Sequence, residues 1–178
     1  VYWLTVPDDE IERVAADLVG AIPEDATVFH TSGYHSSTVL TEAGLRQNPV
    51  ASVHPLQAVA EPRTAIEKLP EIAWALEGSP EAKSEARQIL AQFDIEPFEI
   101  DSSLKPLYHA AAVTASNFTV ILLEVAMRMA VKAGMDRSEA KARLLPLMES
   151  TLENLENDDP ADALTGPVAR GDEEMING

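Results

Sequence analysis

The pattern of this chain changes near Asp101, and that change limits its fold more than any other feature. Before Asp101, short runs of β-formers alternate with helical spacings; after it, only helical spacing remains. Residues 1–6 are apolar and are stopped by Pro7, so they read as a buried strand. Asp8 and Asp9 offer an N-cap and an acidic first turn to a helix carrying Ile11, Val14, Ala15 and Leu18 on one face, and Gly20 stops it. Strands are predicted at 26–30, 50–53 and 72–76. A short helix follows Ser36 or Ser37, another spans 80–91, and 93–100 is extended. Such alternation predicts a parallel α/β sheet over 1–101. From 102 to 178 the expectation is an all-helical part. One helix is capped by Ser103, runs about 40 Å to Lys132 and ends at Gly134. A second starts at Asp136 or Ser138 and runs to about Glu156, and a polar, glycine-bearing loop covers 165–172.

Composition removes several classes of function. Thirty acidic against 13 basic residues give a net charge of −17. Nucleic-acid binding is excluded because phosphate contacts need a basic patch. The absence of cysteine excludes disulfides and thiolate chemistry and fits a cytoplasmic protein. The longest apolar run, 118–133, is broken by Glu124, Arg128 and Lys132, so no membrane span is expected. No secretory leader is visible, and no Gly-x-Gly-x-x-Gly follows a strand. Residue 1 falls inside a strand and residue 178 at the start of another helix, so a longer parent chain is expected.

The candidate chemistry gathers on the first long helix and on the ends of the strands. His109, Ala112, Val113, Ser116 and Val120 share one helical stripe, with Asn117 at its edge and small Ala112 leaving room beside the polar heads. Lys105 starts the same helix. Asn117 lies twelve residues on, about 120° around the axis, so the two do not share a line. The strand ending at His30 is followed by Thr31, Ser32 and Gly33. The glycine permits close backbone approach to a ligand, and the serine can donate to a carbonyl or carboxylate. Pro55 holds His54 in extended geometry, which aims its imidazole out of the sheet edge. A Ser–His nucleophilic pair lacks the strand-turn-helix elbow it would need. A metal site would require three or four of His30, His35, His54 and His109 to converge, and none is expected. Arg170 carries a forked cation that can clamp a carboxylate or pair with Asp172. The plainer alternatives are that Asp8 caps a helix, Lys105 starts one and Asn117 satisfies a buried neighbour. Leu122, Val125, Ala126, Met127 and Met129 make 118–132 apolar on more than one face, which calls for a second contact, either to the sheet half or to a partner.

In order, the chain carries Val-Pro-Asp-Asp-x-Ile, His-Thr-Ser-Gly, His-Pro-Leu-Gln, Ala-Leu-Glu-Gly, Lys-x-x-Tyr-His-Ala-Ala-Ala-Val-x-Ala-Ser-Asn and Leu-Thr-Gly-Pro-Val-x-Arg-Gly-Asp. Over residues 1–172 this resembles a bacterial family described as Rossmann-like with a C-terminal domain of unknown function 2520. Its architecture is similar to that of the 6-phosphogluconate dehydrogenase, pyrroline-5-carboxylate reductase and ketopantoate reductase group. The resemblance implies the latter part of a Rossmann-type sheet (residues 1–101) followed by a helical domain (102–178). The dinucleotide fingerprint would lie upstream, and Val1 would belong to the fourth strand of the parent domain. It implies NADP or NAD as cofactor, with Val6, Pro7, Asp8, Ser32 and Gly33 beside it. In that group a lysine and an asparagine of the first long helix polarise the substrate carbonyl. Here the residue four after Lys105 is His109. His109 is therefore the expected proton donor, with Asn117 binding substrate, Lys105 as a further catalytic partner, and His54, Ser116 and Arg170 as substrate contacts. The implied activity is reduction of a small carbonyl acid, ketopantoate-like. The alternative is a non-catalytic nucleotide- or metabolite-binding or dimerisation module. A homodimer through the helical domain is expected. All of the chemistry requires that His109 face the loop tips carrying Ser32 and His54.

Overall fold

The computed structural model describes residues 1–58, 63, 66 and 68–164. Arg170 and the 165–172 loop lie outside them. The chain forms two compact units, Val1–Ser116 and Asn117–Gly178. The first unit extends past residue 101 because it takes in the opening turns of the long helix.

The first unit holds one sheet of five strands: β1 (Tyr2–Leu4), β2 (Val28–His30), β3 (Val50–Pro55), β4 (Trp74–Gly78) and β5 (Phe98–Glu99), in that spatial order. Its helices are α1 (Ile11–Leu18), entered through a 3₁₀ turn at Asp8–Glu10, α2 (Thr38–Glu42) and α3 (Pro80–Ala91). Side chains of successive strand residues point to opposite faces. Val28 and Val50 accordingly join Leu4, Ile11, Ala15, Leu40 and Leu45 in one cluster with α1 and α2. Phe29, Ala51, Val53 and Leu76 join Ala82, Ala86 and Leu90 of α3 in another. Both faces of the sheet are thus covered, as an α/β fold requires.

Three expectations are corrected. The sheet is mixed, because β3 and β4 pair antiparallel while β1–β2, β2–β3 and β4–β5 are parallel. A parallel return needs a crossover over the sheet. Here the Leu56 N–H bonds to the Ala73 carbonyl at 2.8 Å, so the chain re-enters beside the strand it has just left. β1 is not buried: only Leu4 is, while Tyr2 and Trp3 stand exposed. Among the described strands β1 pairs with β2 alone, so it is an edge. Finally, Asp101 rather than Ser103 caps the turn before the long helix, its carboxylate accepting from the Ser103 N–H at 2.8 Å.

That helix, α4 (Lys105–Lys132), spans 28 residues, and α5 (Arg137–Asn157) follows. Gly134, at φ 100°, makes the left-handed break between them. By length and composition alone the 102–132 segment is long and apolar enough to cross a membrane, its most apolar 18-residue window having a mean hydropathy of 1.6. Its charges are used within the protein. Glu124 accepts from Arg128 and from Arg137 at the start of α5, and the two guanidinium groups hold its carboxyl down at about 2.

Candidate active site at the carboxyl edge of the sheet

The strand register places Leu4, His30, Ser52 and Glu77 side by side across β1 to β4. All four are buried, and the last three are polar. A buried polar group must find partners. Lys105, from the first turn of α4, meets this need. Its ammonium donates to the Ser32 carbonyl at 2.6 Å and to the Ser52 hydroxyl, and stands 3.9 Å from the Glu77 carboxylate. Glu77 also accepts from the backbone N–H and the hydroxyl of Ser37, at 2.7 and 2.8 Å. Burial brings the Lys105 ammonium down to about 8, against the opposing pull of Glu77 and Asp8.

The loop after β2 is fixed from within. Ser32 donates to Asp8 at 2.8 Å, and its oxygen accepts from the N–H groups of Tyr34 and His35. This ties the end of β1 to the end of β2. The Ser32 N–H donates to Nδ1 of His30, which leaves that ring its proton on Nε2. Burial, reinforced by Lys105, pushes the His30 imidazole down to about 3.

Above this floor two histidines converge on Gly33. A Cβ built on Gly33 would stand 2.7 Å from Nε2 of His54 and 3.0 Å from Nδ1 of His109. The other ring nitrogen of His54 lies 2.8 Å from the Tyr108 hydroxyl. Nδ1 of His109 is enclosed and has no hydrogen-bond partner among the described residues. The Tyr34 ring packs edge-on against His109, with centroids 6.0 Å apart. Burial, then Lys105 and then His109, lowers the His54 imidazole to about 4, so it is neutral at physiological pH.

His109, Gly33 and His54 therefore meet at the carboxyl ends of β2 and β3. Ser32 and Asp8 are adjacent, but their side chains are bonded to each other. Lys105, expected as a catalytic partner, has a fully buried ammonium whose hydrogen bonds go to Ser32 and Ser52, where it locks the start of α4 to the sheet. Val6 is half-buried and packs against the α1–α2 core cluster, while Pro7 is exposed at the turn into α1. Ser116 is half-buried, and Asn117, the first residue of the second unit, is exposed. Among the described residues no group of three potential metal ligands gathers. Ser52, Glu77 and Tyr108 join the site without being among the residues expected there. A serine and a glutamate inside apolar strands were a usable signal, because such groups demand a buried partner.

Strands ending in polar loops, helices on both sheet faces and a long helix that sets its first side chains over the carboxyl edge define a Rossmann-like α/β fold. The chain belongs to the family described as domain of unknown function DUF2520, whose model matches residues 72–178. It is similar to protein TM1727 from Thermotoga maritima, with 32% identity and a TM-score of 0.81 over 98% of this chain and 66% of that one. The BF3122 protein of Bacteroides fragilis is 24% identical, with a TM-score of 0.76 over 99% of this chain and 65% of that one. Plasmodium falciparum pyrroline carboxylate reductase, solved with NADP bound, shares the fold at 15% identity and a TM-score of 0.66, over 98% of this chain and 71% of that one. The chain thus spans just under two thirds of the length of the first two. No curated protein matches it.

Proposed function

We propose that this chain is the larger part of an NAD(P)-dependent reductase of a small carbonyl acid, a ketopantoate-like 2-oxo acid being the first substrate to try. The observation that carries this reading is the convergence of His109 and His54 on Gly33 at the carboxyl edge, where ligands bind in open α/β sheets. On this reading the edge receives one end of a dinucleotide. Val6, Pro7, Asp8 and Gly33 would lie beside the ribose and nicotinamide, and this chain carries no glycine fingerprint for the pyrophosphate. When bound, a reduced nicotinamide supplies a hydride.

The chain's own residues then have separate tasks. Negative charge builds on the carbonyl oxygen during reduction, and a donor placed in advance stabilises it. His109 donates the proton, a positioned imidazole being a common general acid. Neutral His54 holds His109. The Lys105 ammonium lies beneath the same loop, where its field favours an anionic substrate without contact. Asn117, Ser116 and Arg170 are proposed to bind the rest of the acid. A homodimer through the helical unit belongs to the same reading.

The rival is a nucleotide- or metabolite-binding module without chemistry, and the enclosure of Lys105 favours it. The test is oxidation of NADPH and NADH by the intact parent protein against a panel of 2-oxo acids, with His109→Ala and Asn117→Ala alongside. His109→Ala is expected to lower kcat/KM about 10²- to 10⁴-fold on the accepted substrate. Wild-type rates in that variant would overturn the assignment, and nicotinamide binding without turnover would establish the rival.

A further inference from the structure

We infer that Tyr108 is a positioning residue: its hydroxyl fixes the tautomer of His54, and His54 so fixed sets the tautomer of His109. The inference rests on the reading above for its chemical consequence, though not for its physical content.

The argument follows the protons. The Tyr108 hydroxyl and Nδ1 of His54 are 2.8 Å apart. Either could donate, but the choices leave different remainders. If His54 donates, the phenol hydrogen has no other acceptor among the described residues and is left to solvent at a half-buried ring. If the phenol donates, both groups are satisfied, and the neutral imidazole carries its proton on Nε2. Burial raises the Tyr108 pKa, so the phenol keeps its hydrogen to give.

Nε2 of His54 is the atom that looks into the space before Gly33, and the atom across that space is Nδ1 of His109. That nitrogen is enclosed and lacks a partner. A buried polar atom left so is costly, and the His54 N–H is the donor that faces it across the space before Gly33. The absent side chain of Gly33 provides the room. His109 then accepts on Nδ1 and must carry its own proton on Nε2, the form in which it can give that proton to a substrate. The geometry is fixed by packing as well. The Tyr108 ring meets His54 edge-on at 5.6 Å and Phe98 at 6.2 Å, so the hydroxyl has little freedom to leave.

The experiment is two-bond ¹H–¹⁵N correlation on the intact protein with ¹⁵N-labelled histidine near neutral pH. Expected in wild type are a pyridine-type Nδ1 and a pyrrole-type Nε2 on both His54 and His109. Tyr108→Phe keeps the ring contacts and removes only the hydroxyl. It is expected to turn both patterns into averages of two tautomers, and His54→Gln to do so for His109 alone. A wild-type proton on Nδ1 of either histidine overturns the proposal, whatever the variants do. So does an unchanged His109 in Tyr108→Phe. Where turnover is found, Tyr108→Phe should lower kcat with little change in KM. Absence of turnover would count against the reductase reading and leave the tautomer result standing.

Discussion

Residue 33 is a place where one methyl group decides an arrangement. The Gly33 backbone is outside the left-handed region, so alanine is conformationally acceptable there. Its Cβ would nevertheless press on Nε2 of His54 at 2.7 Å and Nδ1 of His109 at 3.0 Å. Overpacking costs about 1–3 kcal/mol, against about 0.4–1 kcal/mol gained from a stiffer unfolded chain. Gly33→Ala should therefore lose about 1 kcal/mol in urea unfolding. Turnover should fall about 100-fold, because displacing a reacting group by an ångström can cost that much. Unchanged kinetics would show that the two rings can part without consequence. Gly33, His54 and His109 can all be picked out in the sequence, Gly33 as a point of close approach, but not that two imidazoles of the same chain stand against it. The fate of Lys105 could not be seen. Its partner Ser52 is 53 residues away, and only the register of β3 against β2 and β4 turns that hydroxyl towards it.

At the scale of elements, the lock between α4 and the sheet is a buried charge pair. Lys105 and Glu77 are both almost fully buried, 3.9 Å apart, with Ser37, Ser52 and the Ser32 carbonyl completing their bonds. Removing one partner leaves the other charge uncompensated, whereas removing both leaves ordinary polar groups. Lys105→Met alone should cost about 3–5 kcal/mol in urea unfolding, and Lys105→Met with Glu77→Gln should recover more than half of that. Additive losses in that cycle would mean the pair is not coupled. The same elements show what alternation reveals and what it hides. The spacing of Ala82, Ala86 and Leu90 marks α3 to the residue, with Ser79 as cap and Pro80 at its start. Strand direction is not encoded in an apolar run of five residues, so the antiparallel entry of β4 had to come from the Leu56–Ala73 bond.

For the molecule as a whole, charge sets the response to solution. His30 and His54 titrate at about 3 and about 4 in the folded chain, against 6.5 when unfolded. The unfolded state therefore binds more protons between those limits, and stability falls as pH drops from about 6.5 towards 3. Glu124, held at about 2, adds its loss only below its ordinary 4.5. Urea midpoints should decline from pH 6.5 downward, and His30→Asn should flatten the early part of that limb; a flat profile to pH 5 would contradict the burial of these rings. A second whole-molecule property concerns association. Phe118, Leu122, Val125 and Met129 follow the four-three-four spacing of a helix-packing seam, yet are 50%, 63%, 42% and 66% exposed. Burying such a side chain is worth about 1.5–3 kcal/mol, and a symmetric pair of copies buries each of them twice. The opposing effect is the charge of −17 on each copy, which salt screens over about 10 Å at 0.1 M. Sedimentation velocity should thus show a dimer whose affinity rises with added salt. Leu122→Glu should shift it to monomer without unfolding, since the position is open to solvent in a single copy. A wild-type monomer at tens of micromolar in high salt would leave the seam without its second copy, and weakening by salt would mean that charge pairs rather than apolar contact hold the copies together.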